Sequence, residues 1–320
     1  MKRRLLLTLI GMAAPAALRP VWAQTQRVAR IGILTPNRRL PRVADVIQAL
    51  SELGYQQGRN LVVEVRSADD VLERLEPLAA ELARLPVDVI VTLQTPATLA
   101  ARRATANMPI VMAGAALDPV AGGLVQSLAR PGGNVTGITG LGANLAAKTL
   151  ELVRELRSPT QRIGVLANAA DPFTPALLEM LQQAARALEI ELRVAQVRAA
   201  SDYAAAFTGW AAARVDAVFV QPSLVLEKAI ELAALHRLAS FSFVRAFAAG
   251  GGLLSYSVDA RESAQRTAAF VDRILKGADP GQLPIEQPTS FELVFNLRTA
   301  KALGVTIPQS LLLRATDVIQ

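Results

Sequence analysis

The sequence predicts an α/β protein of two similar lobes, each a parallel sheet covered by helices on both faces. Three observations carry this expectation. Short β-branched runs alternate with amphipathic helical runs nearly throughout the chain. The strands read as continuous apolar segments, the pattern of a sheet buried on both faces. The pattern also restarts. Arg30-Ile31-Gly32-Ile33-Leu34 resembles Arg162-Ile163-Gly164-Val165-Leu166, and Val87-Asp88-Val89-Ile90-Val91 resembles Val215-Asp216-Ala217-Val218-Phe219. Both pairs are offset by about 130 residues, too long for a solenoid period and suited to two domains of one design.

In order along the chain, Arg30 to Thr35 reads as the first strand and residues 41–54 as a helix closed by Gly54. Leu61 to Val65 is the second strand, residues 71–85 a helix, and Val87 to Thr92 the third strand. Pro96 to Thr105 is helical, and Pro109 to Met112 is the fourth strand. The stretch LARPGGNVTG (Leu128 to Gly137) is read as Arg130-Pro131 ending a helix, Gly132-Gly133 turning, and Asn134 to Thr139 forming a strand towards the second lobe. A phosphate cradle needs a strand running into a helix, so this order argues against one. Asn134-Val135-Thr136 is a chance match to the glycan acceptor pattern.

Apolar residues make up 52% of the 320 residues and charged residues 19%, which places the chain among folded proteins with substantial cores. The first 23 residues have a basic head (Lys2, Arg3, Arg4), an apolar middle and Val21-Trp22-Ala23 as a small-x-small cleavage site. That layout is a cleavable signal peptide, and its apolar run is too short for a membrane span. The residues around Arg3-Arg4 match a twin-arginine signal poorly. The leader holds four basic residues and no acid, so its removal lowers the formal charge from +7 to +3. The basic balance therefore does not argue for nucleic acid. The absence of cysteine excludes disulfides, thiolate metal sites, thiol catalysis and a lipidated N-terminal cysteine. A secreted chain with no lipid anchor is expected in a bacterial periplasm.

Catalytic chemistry is thinly represented. His236 is the only histidine and lies in the helical run LEKAIELAALHRL, where a solvated position explains it. No zinc-ligand spacing, G-x-S-x-G elbow or Walker loop occurs, and no cofactor is implied. Polar residues do gather at strand ends, where open α/β sheets bind ligands. Thr95 and Pro96 stand as N-cap and N1 of a helix whose free amides suit a carboxylate, although ordinary capping explains them equally. Asp118-Pro119 and Asn168-Ala169-Ala170-Asp171-Pro172 follow strands, and either aspartate can hold an ammonium or simply shape a turn. Gln221-Pro222-Ser223 is similarly placed, and Tyr256 and Phe243 can form an aromatic wall or belong to the core. An amino-acid zwitterion would place its carboxylate on the helix starting at Pro96 and its ammonium on Asp118 or Asp171.

Several stretches taken together resemble a known family: LARPGGNVTG, ELGYQQGRNLVVEVRSA, VDVIVTLQTPATLAARRAT, MPIVMAGAALDPV and the long block from AAFVDRILKGADPGQLPIEQPTSFELVF onward. The family is the substrate-binding proteins of ABC transporters, in the tryptophan-type branch of the type I periplasmic binding proteins. The resemblance implies two Rossmann-like lobes joined by a multi-strand hinge. Residues 24–141 plus about 258–280 would form lobe 1, and 142–257 plus about 281–320 lobe 2. It implies capture of a small solute, amino acids included, for a membrane permease and without chemistry. A monomer is expected. Carried over by position, the ligand-facing residues would be Thr35, Gln94, Thr95, Gly114, Asp118, Asn168, Asp171, Gln221, Ser223 and Tyr256. Two departures fall near the cleft: Leu93-Gln94-Thr95 replaces small residues, and FSFVRAFAAGGGLLSYSVD lacks the usual acid before its glycines. A periplasmic sensor built on the same lobes and a periplasmic enzyme are the alternative functions. The missing nucleophile motifs disfavour the enzyme.

Overall fold

The computed structural model describes residues 28–37, 41–115, 119–120, 122–140, 142–157 and 159–320. The leader and Asp118 lie outside these residues. Two sheets organise the chain, as the internal repeat predicts. The first has five strands: β1 (Ala29–Thr35), β2 (Leu61–Ser67), β3 (Val89–Thr92), β4 (Ile110–Ala115) and β5 (Val135–Thr139). Their order is β2-β1-β3-β4-β5 and every pairing is parallel. Helices α1 (Pro41–Glu52), α2 (Leu75–Arg84) and α3 (Gln94–Ala104) connect them.

The second sheet is built from β6 (Arg162–Asn168), β7 (Glu191–Val197), β8 (Ala217–Val220), β9 (Ala239–Ser242), β10 (Leu254–Val258), β11 (Phe291–Asn296) and β12 (Asp317–Ile319). Its order is β12-β11-β10-β9-β8-β6-β7, with β10 and β11 the antiparallel pair. Around it run α4 (Gly142–Leu156), α5 (Thr174–Ala187), α6 (Tyr203–Ala212), α7 (Leu226–Leu235) and α8 (Arg245–Ala249). Late in the chain come α9 (Ala260–Leu275), α10 (Leu297–Leu303) and α11 (Gln309–Leu312).

The repeated residues have a physical role. Asp88, just before β3, accepts the Arg30 amide at 2.8 Å. Its counterpart Asp216, just before β8, accepts the amides of Gln161 and Arg162 at 2.8 and 2.9 Å. Each aspartate thus ties the start of one strand to the start of its neighbour. Gly164, at the centre of β6, lies under Trp210, and a Cβ there would sit 2.7 Å from the indole. Within β3, Val89 and Val91 pack on one face with Phe270 of α9, while Ile90 packs on the other with Leu82 and Ala97. The second sheet is likewise buried on both sides, Phe219 and Phe241 facing one cluster and Val218 and Val220 the other.

Three segments cross between the sheets: β5 into α4, β10 into α9, and the approach to β11. The last two are tied together, since Asp259 donates its amide to Ser290 O at 3.0 Å and Glu262 grips Thr289 and Ser290. Helix α9 packs on α1 and β4, so it belongs with the first sheet. The return to the second sheet comes later than residue 281. Ile285 lies in the core of the first lobe, and Glu286 still bridges Ile138 of β5. Two local expectations also change. No helix leads into LARPGGNVTG among the described residues; Leu124 and Val125 both donate to Pro119 O, and Gln126 donates to Pro131 O. Helix α3 begins at Gln94, capped by the extended backbone of Leu93, so Pro96 is its third residue and Thr95 is not the cap.

Candidate ligand cavity between the lobes

In an open parallel sheet, the strand ends at the switch in strand order leave a crevice. Here β1 and β3 flank that switch in the first sheet, and β6 and β8 in the second. The loops after these strands meet across the lobes. Gln94 and Thr95 follow β3, Gly114 ends β4, Asp171 follows β6, and Gln221 and Ser223 follow β8. All six line one cavity.

Asp171 is the polar centre of the second-lobe wall. It is buried, and its Oδ2 accepts Ser223 Oγ at 2.6 Å and Gln221 Nε2 at 2.8 Å. Its Oδ1 accepts the Phe173 amide at 2.9 Å. Burial pushes the Asp171 carboxyl above the ordinary carboxylate range, and the bonds from Ser223, Phe173 and Gln221 oppose that rise. Three of its roughly four acceptor positions are filled, which leaves one for a further donor.

On the first-lobe side, Gln94 takes a positive φ of 66° and donates from Nε2 to Asn37 Oδ1 at 3.0 Å. Asn37 in turn donates to Asp70. Gly114, with φ of 81°, brings bare backbone against Arg42, whose Nη1 would stand 3.4 Å from a Cβ. Arg42, in the first turn of α1, also lines the cavity. Burial pulls its guanidinium below the ordinary value, while Glu292 and Asp45 raise it; an arginine remains a cation at neutral pH all the same.

The remaining wall is apolar. Phe173, Leu177 and Met180 come from the start of α5, Phe243 and Val244 follow β9, and Pro96, Leu145 and Val258 complete it. The Phe243 ring packs tilted against Phe219, with centroids 4.7 Å apart. The arrangement suits an apolar side chain bearing a small charged head.

Three sequence candidates stand elsewhere. Thr35 is buried and bonds locally, donating to Asn37 O at 3.0 Å. Asn168 braces the loop beneath Asp171, donating from Nδ2 to Ser223 O at 3.2 Å and accepting the Ala170 amide at 3.0 Å. Tyr256 stacks on Phe291 at 5.6 Å against the second core and is not part of the cavity wall. Asp118 lies outside the described residues. Sequence reasoning missed Arg42, Phe173, Leu177 and Met180, which look like ordinary helix residues in one dimension. His236 caps α7 with its ring 6.5 Å from Phe207, remote from the cavity. No group of three or more potential metal-ligating side chains occurs among the described residues.

The family model described as ABC transporter substrate binding protein matches residues 27–319. The chain belongs to that family. This substrate-binding protein is 26% identical to the tyrosine-binding protein of Clostridioides difficile over 263 residues, 81% of this chain and 75% of that one. Among solved structures it resembles a conserved domain protein from Vibrio cholerae (27% identity, TM-score 0.83), with 91% of this chain and all of that one covered. It also resembles an ABC domain from Streptococcus pneumoniae in complex with L-Trp (25% identity, TM-score 0.80), with 90% of this chain and all of that one covered.

Proposed function

We propose that this substrate-binding protein is the periplasmic receptor of an ABC importer for an amino acid with a large apolar side chain, an aromatic one fitting best. The observation that carries this reading is the interlobe cavity itself. A buried carboxylate, Asp171, stands beside an apolar wall that includes Phe173, Leu177 and Phe243. A free α-ammonium complements the first and an aromatic side chain the second. The tyrosine-binding relative and the L-Trp complex support the same class.

The mature chain would begin at Gln24 after export, act as a monomer, and release its solute unchanged to a membrane permease. Ligand contacts to both lobes favour the closed arrangement by population shift, with the three crossing segments as the hinge. The test is a thermal-shift screen of L-tryptophan, L-tyrosine and L-phenylalanine against L-glutamate, L-leucine and ribose, with calorimetry on the hits. A ligand at 100 times its Kd stabilises the fold by about 2.7 kcal/mol. Stabilisation by an aromatic amino acid is the expected result; stabilisation by ribose alone overturns the reading.

A further inference from the structure

Among the described residues that line the cavity, Arg42 is the only cation and Asp171 the only carboxylate. They belong to opposite lobes, Arg42 to α1 and Asp171 to the loop after β6. Asp171 is bonded by Ser223, Gln221 and the Phe173 amide, whereas Arg42 makes no hydrogen bond or ion pair among the described residues. The acid that acts on it from the second lobe, Glu292, is already engaged by Arg245 at 3.1 Å and Ser257 at 3.2 Å. Arg42 is half-buried in the cavity wall, and a guanidinium held there with its donors unmatched among the described residues is completed by an anion. Gly114 leaves the space beside it open, since even a Cβ there would come within 3.4 Å of Nη1.

We propose that Arg42 receives the α-carboxylate of the bound amino acid. This rests on the amino-acid reading above and adds the residue that reads the acid. Sequence reasoning assigns that role to the start of α3; the cavity offers a forked cation on α1 instead, a group that pairs with a carboxylate through two parallel bonds. The ligand then spans the cleft with its carboxylate on lobe 1, its ammonium on Asp171 of lobe 2, and its side chain along Phe173 and Leu177. Each lobe alone offers one charge, so the zwitterion is complemented only when the lobes meet.

The experiment is calorimetry on the mature chain with two ligand pairs, L-tryptophan with tryptamine and L-tyrosine with tyramine, the amine of each pair lacking the carboxylate. Wild type should bind an amino acid at least tenfold more tightly than its amine. In Arg42→Gln the amino acid should weaken at least tenfold and the preference over the amine should collapse towards unity, and Arg42→Lys should recover part of it. Because the preference is a ratio within one variant, a general loss of folded protein does not imitate the result. A preference that persists undiminished in Arg42→Gln overturns the Arg42 assignment and leaves the amino-acid reading standing. A wild type that binds neither amino acid overturns both.

Discussion

Ser223 Oγ donates a 2.6 Å hydrogen bond to the buried Oδ2 of Asp171, joining the loops that follow β8 and β6. A bond to a buried carboxyl oxygen, with few other partners to replace it, is costly to lose. Ser223→Ala leaves Asp171 with Gln221 and the Phe173 amide only. The variant should lose about 1.5–3 kcal/mol of unfolding free energy at pH 7, measured by urea denaturation. The carboxyl should also rise further, because a bond that held it down is gone. An unchanged midpoint would mean that the bond contributes nothing net.

The pH dependence of Asp171 has a definite sign. Its folded carboxyl is raised from the ordinary value of 3.8 by burial. Between 3.8 and that raised value the folded chain binds more protons than the unfolded chain, so unfolding free energy falls as pH rises through the window. Each pH unit of the window is worth about 1.4 kcal/mol. Asp171→Asn cannot titrate, so the stability of wild type relative to this variant should decline from acid towards neutral pH and then level off. Chemical denaturation of both proteins at several pH values measures it. A relative stability that instead rises with pH would contradict the raised carboxyl.

Gly114 combines two constraints that a side chain breaks together. Its φ of 81° is a conformation L-residues rarely adopt, and its Cβ position is 3.4 Å from Arg42 Nη1. Gly114→Ala should cost about 1–2 kcal/mol from the backbone alone. It should also weaken amino-acid binding by shifting the guanidinium, which a calorimetric titration reads separately from stability. Binding that survives intact in a destabilised Gly114→Ala would separate Arg42 from the ligand.

The repeat was legible because Asp88 and Asp216 tie strand starts by the same bond, and such local chemistry leaves a recurring signature. Asp171, Gln221 and Ser223 were legible for a related reason: each follows an apolar strand, and strand ends at a switch point open onto the crevice. Arg42, Leu177 and Met180 were not. They lie within helices, where hydrophobic spacing distinguishes a buried face from an exposed one but not a core from a cavity wall. Helix α1 packs on α9, and Arg42 stands beside Gly114 of β4, a long-range meeting that spacing along the chain does not reveal. Leu124, Val125 and Leu128 misled in the other direction. Their spacing imitates a helix, while the Pro119 and Pro131 carbonyls fold the segment into turns that pack on the first sheet.

LARPGGNVTG contributes through the backbone, and its glycines divide by what they approach. Gly137 lies in β5 with φ of 120°, and a Cβ there would come within 2.4 Å of the Met112 carbonyl oxygen and 2.5 Å of its nitrogen on β4. Backbone cannot yield as a flexible side chain does, so Gly137→Ala must spread the two strands. Overlap of this kind together with strained φ should cost about 3 kcal/mol or more. Because Met112 and Gly114 both lie in β4, the displacement should also reach the cavity and weaken ligand binding. Gly133 is the control: nothing stands within 4 Å of its Cβ position. Gly133→Ala should change stability by no more than about 0.5 kcal/mol. Equal losses in the two variants, measured by thermal and urea unfolding, would show that the close approach to Met112 is not what fixes glycine at 137.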